Sequence, residues 1–348
     1  MINIKRFFKL FLLSSILLLT SGCFDYSELN NMDIIVGMGI TKADSNYEVT
    51  YEVINTSINK ENTDAKKSFT VTGVGETIES AIKNTTSKLN KKPYFEHMRI
   101  VLINSSLDIL SLSDYFIRNN NISSNFYLVL TDDPKSLLEY TSQDKKINSE
   151  EVYNILNNIN YPNLHNYFDF QINDILSKKK DITIPYISLE DKLIFKSYGL
   201  YHQNKFITLL STNNLNLYNY YLHNKNIILE SNNNSLNIYK TNYQIKLTTE
   251  VNITLNIEAS IDSLDTKIDL RKESSFKQLE IEFREVLTKE MTSYLKYLQA
   301  LNTDILGINN LNYLKTKNYS EDYFSQSNIN LKINLKIDRP GLTIRKVS

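Results

Sequence analysis

The feature that most limits how this chain can fold is its opening: residues 1–22 are built for export, and a cysteine follows at position 23. Lys5, Arg6 and Lys9 give a positive start, residues 10–19 are apolar apart from Ser14 and Ser15, and Thr20, Ser21 and Gly22 are small. This is the three-part plan of a secretory signal. The apolar stretch is about half of the roughly 20 residues that a spanning helix needs, so it predicts a removed leader and not a transmembrane segment. Cys23 is the only cysteine in 348 residues, which rules out an intramolecular disulfide. The exported body must therefore hold itself together by burying apolar surface, and its length allows two or three domains.

The run Leu19-Thr20-Ser21-Gly22-Cys23 resembles the lipobox of bacterial lipoproteins, with Thr20 where leucine is commoner. That resemblance implies that the Cys23 thiol receives diacylglycerol and that a dedicated peptidase cuts before it. Two acyl chains supply the two signals that stable anchoring requires. The expectation is a water-soluble body anchored to a membrane through Cys23 and not spanning it. The leader holds three basic and no acidic residues, so of the 39 basic and 39 acidic residues the remaining body keeps 36 and 39. Near-neutrality gives no electrostatic case for nucleic acid or for a polybasic grip on lipid. The abundance of Asn, Lys, Ile and Tyr reads as the base composition of an AT-rich genome.

Beyond a short polar tether, the pattern predicts an α+β protein of two to three domains. Residues 33–40 form an apolar run of strand length, and Tyr47, Val49, Tyr51 and Val53 alternate on one face of a second strand after a turn at 43–46. A strand at 68–72 leads to a helix with Ile78, Ala81, Ile82, Thr85 and Leu89 at helical spacing. A strand at 98–103, a helix at 107–117 and a strand at 126–130 follow, and Asp133-Pro134 opens another helix with Asp133 as its cap. These elements suggest an α/β domain over 23–143. A middle region, 144–197, is expected to be helical in parts (151–159, 171–177) before strands at 182–187 and 193–198; Lys178, Lys179 and Lys180 read as a solvated run. A last domain, 198–348, is expected to be an antiparallel sheet packed on a long helix. Its strands are placed at 205–210, 236–246, 250–259 and 329–337, and its helix at 273–301. On that helix Phe276, Leu279, Phe283, Leu287, Met291, Tyr294, Leu298 and Leu301 form one stripe, which predicts packing on the sheet.

Catalytic signatures are missing: the chain has no G-x-S-x-G, no phosphate-cradling glycine loop, no G-x-G-x-x-G and no H-E-x-x-H. His97, His165, His202 and His223 are scattered, with no two at the spacing that places a ligand pair on one helix face. His97 reads as a structural histidine. The adjacent pairs Asp132-Asp133 and Glu150-Glu151 cannot share a proton, since sequence neighbours do not face one another, and helix capping accounts for them better. The expectation is a protein that is not an enzyme, with no cofactor and no metal site.

Several segments resemble the Ger(x)C family, the lipoprotein C subunits of nutrient germinant receptors in endospore-forming bacteria. Gly22-Cys23-Phe24-Asp25-Tyr26-Ser27-Glu28-Leu29 is similar to that family's opening G-C-W-D-x-x-E-[LI], with Phe24 for Trp. Gly39-Ile40-Thr41-Lys42 looks like its G-I-D-K, and the stretch from Lys92 through His97 to Ile103 like its passage into a strand around a central histidine. Ser197-Tyr198-Gly199-Leu200-Tyr201 and Lys205 to Leu210 resemble its glycine-bearing hairpin, with Thr208 at the second glycine. Asp304-Ile305-Leu306-Gly307-Ile308-Asn309 looks like the D-x-f-G-f-G after its long helix, with Asn309 at the second glycine.

The resemblance implies a three-domain body on the outer face of the spore's inner membrane, working with an A subunit and a transporter-like B subunit. It implies no catalytic residue, and the germinant pocket is attributed to the B subunit. The function expected is a lipid-anchored, non-enzymatic receptor subunit required for nutrient-triggered germination. A solute-binding lipoprotein of a transporter is the alternative, and it predicts two similar lobes around a cleft; a surface hydrolase would need a nucleophile–base pair.

Overall fold

The computed structural model describes residues 31–56, 67–119, 122, 125–140, 146–158, 181–221, 227–265, 268 and 272–339. Cys23, the segment 24–29, the stretch expected to be helical at 171–177, the lysine run 178–180, His165 and His223 lie outside them. Two sheets organise the described residues.

The first sheet takes strands β1 (Met32–Ala43), β2 (Asn46–Ile54), β3 (Ser68–Gly75), β4 (Lys92–Tyr94), β5 (Ile100–Ile103), β6 (Tyr127–Leu130), β7 (Ile182–Leu189), β8 (Leu193–His202) and β9 (Lys205–Leu209). Their spatial order is β3-β2-β1-β5-β6-β7-β8-β9, with β4 beside the start of β1. Strands β1, β5, β6 and β7 run parallel, because helices bring the chain back between them. Helices α1 (Ile78–Thr86) and α2 (Ile109–Arg118) cover one face, while α3 (Pro134–Glu139) and α4 (Asn148–Asn158) cover the other. Side chains alternate accordingly. Val101, Ile103, Leu128 and Leu130 face α1 and α2, whereas Ile100, Leu102, Tyr127 and Val129 face α3 and α4. The expected cap is present: the Asp133 carboxylate accepts from the N–H groups of Lys135 and Ser136 with Pro134 in the first turn.

The second sheet has the order β10 (Ile227–Ser231), β11 (Asn234–Leu247), β12 (Val251–Ser263), β13 (Ile329–Arg339). Its first three strands are antiparallel, as expected, but β13 joins β12 in parallel. Length explains the difference. Helix α6 (Glu273–Ala300) follows β12, and its 28 residues span about 42 Å at 1.5 Å per residue. The 13 residues of β12 span about 43 Å at 3.3 Å per residue, so α6 returns the chain to the end from which β12 started. The stripe read on this helix is inside: Leu279, Phe283, Leu287, Met291, Tyr294 and Leu298 are all buried. Three further helices, α5 (Thr212–Tyr221), α7 (Ile308–Thr316) and α8 (Tyr323–Gln326), were not expected.

The sheets divide elsewhere than at 143 and 198. Strands β7, β8 and β9 pair onto β6, so residues 182–209 complete the first sheet, and position 198 falls within β8. The reason is the hairpin chemistry at Gln203 and Asn204, both with positive φ, which folds β9 back on β8 before the chain crosses over. One apolar core runs from α3, α4 and β8 through α5 into the second sheet and α6 without a break.

Candidate functional site

The structure brings none of the described histidines together. His97 is exposed and stands edge-on to Tyr94, with ring centroids 5.5 Å apart. Among the described residues no group of three or more His, Cys, Asp and Glu side chains is placed to hold a metal ion. Three other arrangements concentrate polar or exposed apolar groups, and they differ in purpose.

The first is a joint between the two sheets. Asp181 stands directly before β7, and its Oδ2 accepts from the Asp304 N–H at 2.6 Å while 3.0 Å from His202 Nδ1. Its own N–H donates to the Asp304 carbonyl at 2.9 Å. The Asp304 carboxylate in turn caps α7, accepting from the N–H groups of Ile308 (3.0 Å) and Asn309 (2.7 Å). Gly307 makes the bend between them with φ 74°, a left-handed conformation that costs glycine nothing. Asn309, where the resemblance has a glycine, spends its side chain here: Nδ2 donates to the Glu321 carbonyl and Oδ1 accepts from the Phe324 N–H, both at 2.8 Å. Gln203, in the β8–β9 turn, donates to Glu321 Oε2 at 2.8 Å. The joint ties β7 and β8 to the layer that follows α6.

Burial pushes the Asp304 carboxyl up to about 6, with the Asp181 charge adding to it and the backbone N–H groups of Asn309 and Ile308 opposing it. A folded state that holds this proton more tightly than the unfolded chain gains stability as pH falls, so the advantage is full below about 4 and is lost as pH rises through about 6. The shift corresponds to about 3 kcal/mol. The stability of the native chain relative to Asp304→Asn is therefore expected to fall by up to about 3 kcal/mol between pH 4 and pH 7 and to level off above that. Urea titrations of both proteins across that range measure it. A constant difference would remove Asp304 as the titrating group.

The second arrangement centres on Glu52, fully buried in β2. Its carboxylate accepts from the N–H groups of Asn148 and Ser149 at 2.8 Å each, and from the hydroxyls of Ser149 (2.5 Å) and Ser68 (2.8 Å). A charged acceptor thus sits on the first turn of α4, where backbone donors have no partner within the helix. Close approach is possible because position 37 has no side chain: a Cβ on Gly37 would lie 1.7 Å from Ser149 Oγ. Of the acidic pairs read as caps, Asp133 does that work, whereas Asp132 accepts instead from the Tyr186 hydroxyl at 2.7 Å.

The third is a surface groove of about 1390 Å³ between α1 and α2. Helix α2 is apolar on two sides. Ile109, Leu112 and Phe116 face the core, while Leu110 and Ile117, 44% and 49% exposed, stand seven residues apart on the outer side and line the groove. Tyr47 and Tyr115 add aromatic surface, and Glu76, Glu79 and Asp114 give the lining an acidic excess. Arg118 is bonded to Asp114 at 2.8 Å. The sequence carried a signal for this surface: Leu107, Ile109, Leu110, Leu112, Tyr115, Phe116 and Ile117 are too many apolar residues for one stripe. Apolar side chains held at the surface of a protein mark contact surfaces more often than accidents when they cluster in a groove.

Comparison with known proteins gives consistent matches. A family model described as the spore germination protein N-terminal domain matches residues 25–189, and one described as spore germination B3/GerAC like, C-terminal, matches residues 199–341. Spore germination protein A3 of Bacillus subtilis (strain 168) is 21% identical over 357 residues, covering 91% of this chain and 94% of that protein. The crystal structure of the GerBC protein superposes with a TM-score of 0.53 at 14% identity, over 86% of this chain and 96% of that one, which shows a shared fold.

Proposed function

The chain belongs to the Ger(x)C family of spore germination proteins, and on that premise we propose that it is a lipid-anchored, non-enzymatic subunit of a nutrient germinant receptor. Cys23 carries the diacylglycerol, on the outer face of the spore's inner membrane, and the body works beside membrane-embedded A and B subunits. The observation that carries this reading is order: the first family segment begins at residue 25, two residues after the lipobox cysteine, and the second follows to residue 341. No helix among the described residues is long and apolar enough to cross a membrane, which suits a body held by lipid. The two sheets are unlike in size and in helical cover, which does not favour the two similar lobes of a solute-binding lipoprotein.

The α1–α2 groove is the surface proposed to meet a partner subunit. Its exposed Leu110 and Ile117 beside Glu76, Glu79 and Asp114 fit a segment of that partner with apolar and basic side chains. Extraction of spore membranes in mild detergent should recover this protein together with A and B subunits. The double variant Leu110→Ser/Ile117→Ser should stay in the membrane fraction yet recover at least tenfold less partner. If the native protein runs apart from both subunits, the receptor reading falls. If the variant retains its partners, only the groove assignment falls.

A further inference from the structure

Strands β5 and β6 are parallel neighbours, yet the chain leaves them for opposite faces of the sheet. After β5 it crosses to α2, whose Ile109, Leu112 and Phe116 pack with Ile103 and Leu130. After β6 it crosses to α3, whose Leu137 and Leu138 pack with Leu102 and Val129 on the other side. Where adjacent connections part in this way, the carboxyl ends of the strands are left with an open crevice, the place where open α/β sheets bind small ligands. A cavity of about 400 Å³ lies at that position, within the usual size of small-molecule sites.

Its walls divide by chemistry. Ser105 from the loop after β5, Thr131 at the end of β6 and Thr208 of β9 bring hydroxyls, while Leu130, Phe206 and Ile207 bring apolar surface. Among the described residues of the lining, Asp132 is the one that carries a charge. The neighbouring Asp133 is spent on the cap of α3, but Asp132 is exposed and accepts only the Tyr186 hydroxyl, at 2.7 Å, among the described contacts. Burial and the Asp132 charge push the Tyr186 phenol up to about 12, so it stays a donor at neutral pH. A carboxylate accepts several hydrogen bonds, so the Tyr186 contact orients Asp132 and leaves it capacity for a ligand. Among the described lining residues an anionic head would meet no cation and one negative charge.

We propose that this crevice binds a small molecule carrying a protonated amine on a short apolar body, the ammonium meeting Asp132 and the hydrocarbon lying against Phe206, Leu130 and Ile207. The site is independent of the membrane anchor and of the groove on α2.

Three compounds of four carbons each and with different heads test it: butylamine, 1-butanol and butyrate, each titrated at pH 7 into the full chain in nonionic detergent. Methyl resonances of Leu130, Ile207 and Leu209 report on the walls. Butylamine is expected to shift them saturably and butyrate to leave them unmoved, with butanol at least tenfold weaker than the amine. Asp132→Asn should weaken butylamine at least tenfold while the melting temperature stays unchanged, because the side chain lies outside the core. The proposal is overturned if butylamine gives no saturable shift, if butanol or butyrate matches it, or if Asp132→Asn binds as the native chain does.

Discussion

A chain carrying Cys23→Ala is expected to leave the membrane fraction and to give spores that no longer germinate in response to the nutrients of its receptor, while the purified body keeps its melting temperature. On the proposed reading Cys23 carries diacylglycerol, and each buried methylene is worth about 0.8 kcal/mol, so the loss of two acyl chains removes a large part of the hold on the bilayer. The body has no net positive charge with which to stay at an anionic surface. On the same proposal, tethering raises the concentration of the body beside its proposed membrane partners, and that gain is expected to disappear with the anchor. Cell fractionation and a germination assay read the two halves of the effect. A Cys23→Ala protein that stays membrane-bound and supports normal germination would show that Cys23 is not the anchor.

The second large effect belongs to Glu52. Glu52→Ala removes one acceptor that four donors share: two N–H groups of α4 and the hydroxyls of Ser149 and Ser68. Each buried donor left without a partner costs about 1–3 kcal/mol, so the two N–H groups alone imply a loss of roughly 2–6 kcal/mol. Domains of this kind are stable by about 5–15 kcal/mol in all, so the change consumes a large part of the total. Glu52→Gln keeps an acceptor oxygen but presents an amide N–H to a donor, and should fall between the native chain and the alanine variant. Urea unfolding of the three proteins gives the order. Equal stability of native and alanine proteins would mean that water replaces the carboxylate at the start of α4.

Glu52 also shows where sequence reasoning stops. The alternation of Tyr47, Val49, Tyr51 and Val53 identified the strand, and Val49, Tyr51 and Val53 are fully buried. Thr50 and Glu52 fall on the opposite face, about which the alternation says nothing; α3 and α4 cover that face as well, and both residues are buried. Nothing near Glu52 in sequence announces partners 96 and 97 residues away. The Asp181–Asp304 joint spans 123 residues and was equally hidden. Elements with strong period were legible: the β1–β2 hairpin, α1, the Asp133 cap, the stripe of α6 and the alternation of β13 all stand where pattern placed them. Strand β10 was missed for a different reason. Its turn to β11 is Asn232-Asn233, both with positive φ, a two-residue hairpin signal that the chain's general wealth of asparagine masked. Helix α2 stands at the expected residues, but the pattern that places it does not say which of its apolar side chains, Leu110 and Ile117, stay outside the core.

The unbroken core that joins α3, α4 and β8 to the second sheet bears on inheritance. The two matched family segments part between residues 189 and 199, which is inside the β7–β8 hairpin, where Leu189 pairs with Leu193. A recombination event at that boundary would separate Tyr198 and Leu200 from Leu138 and Val152, which share their core. Packing at crystal-like density couples such neighbours, so a change of volume on one side needs an answer on the other. An exchange between homologous genes is therefore expected to keep this shared packing intact when it carries both segments.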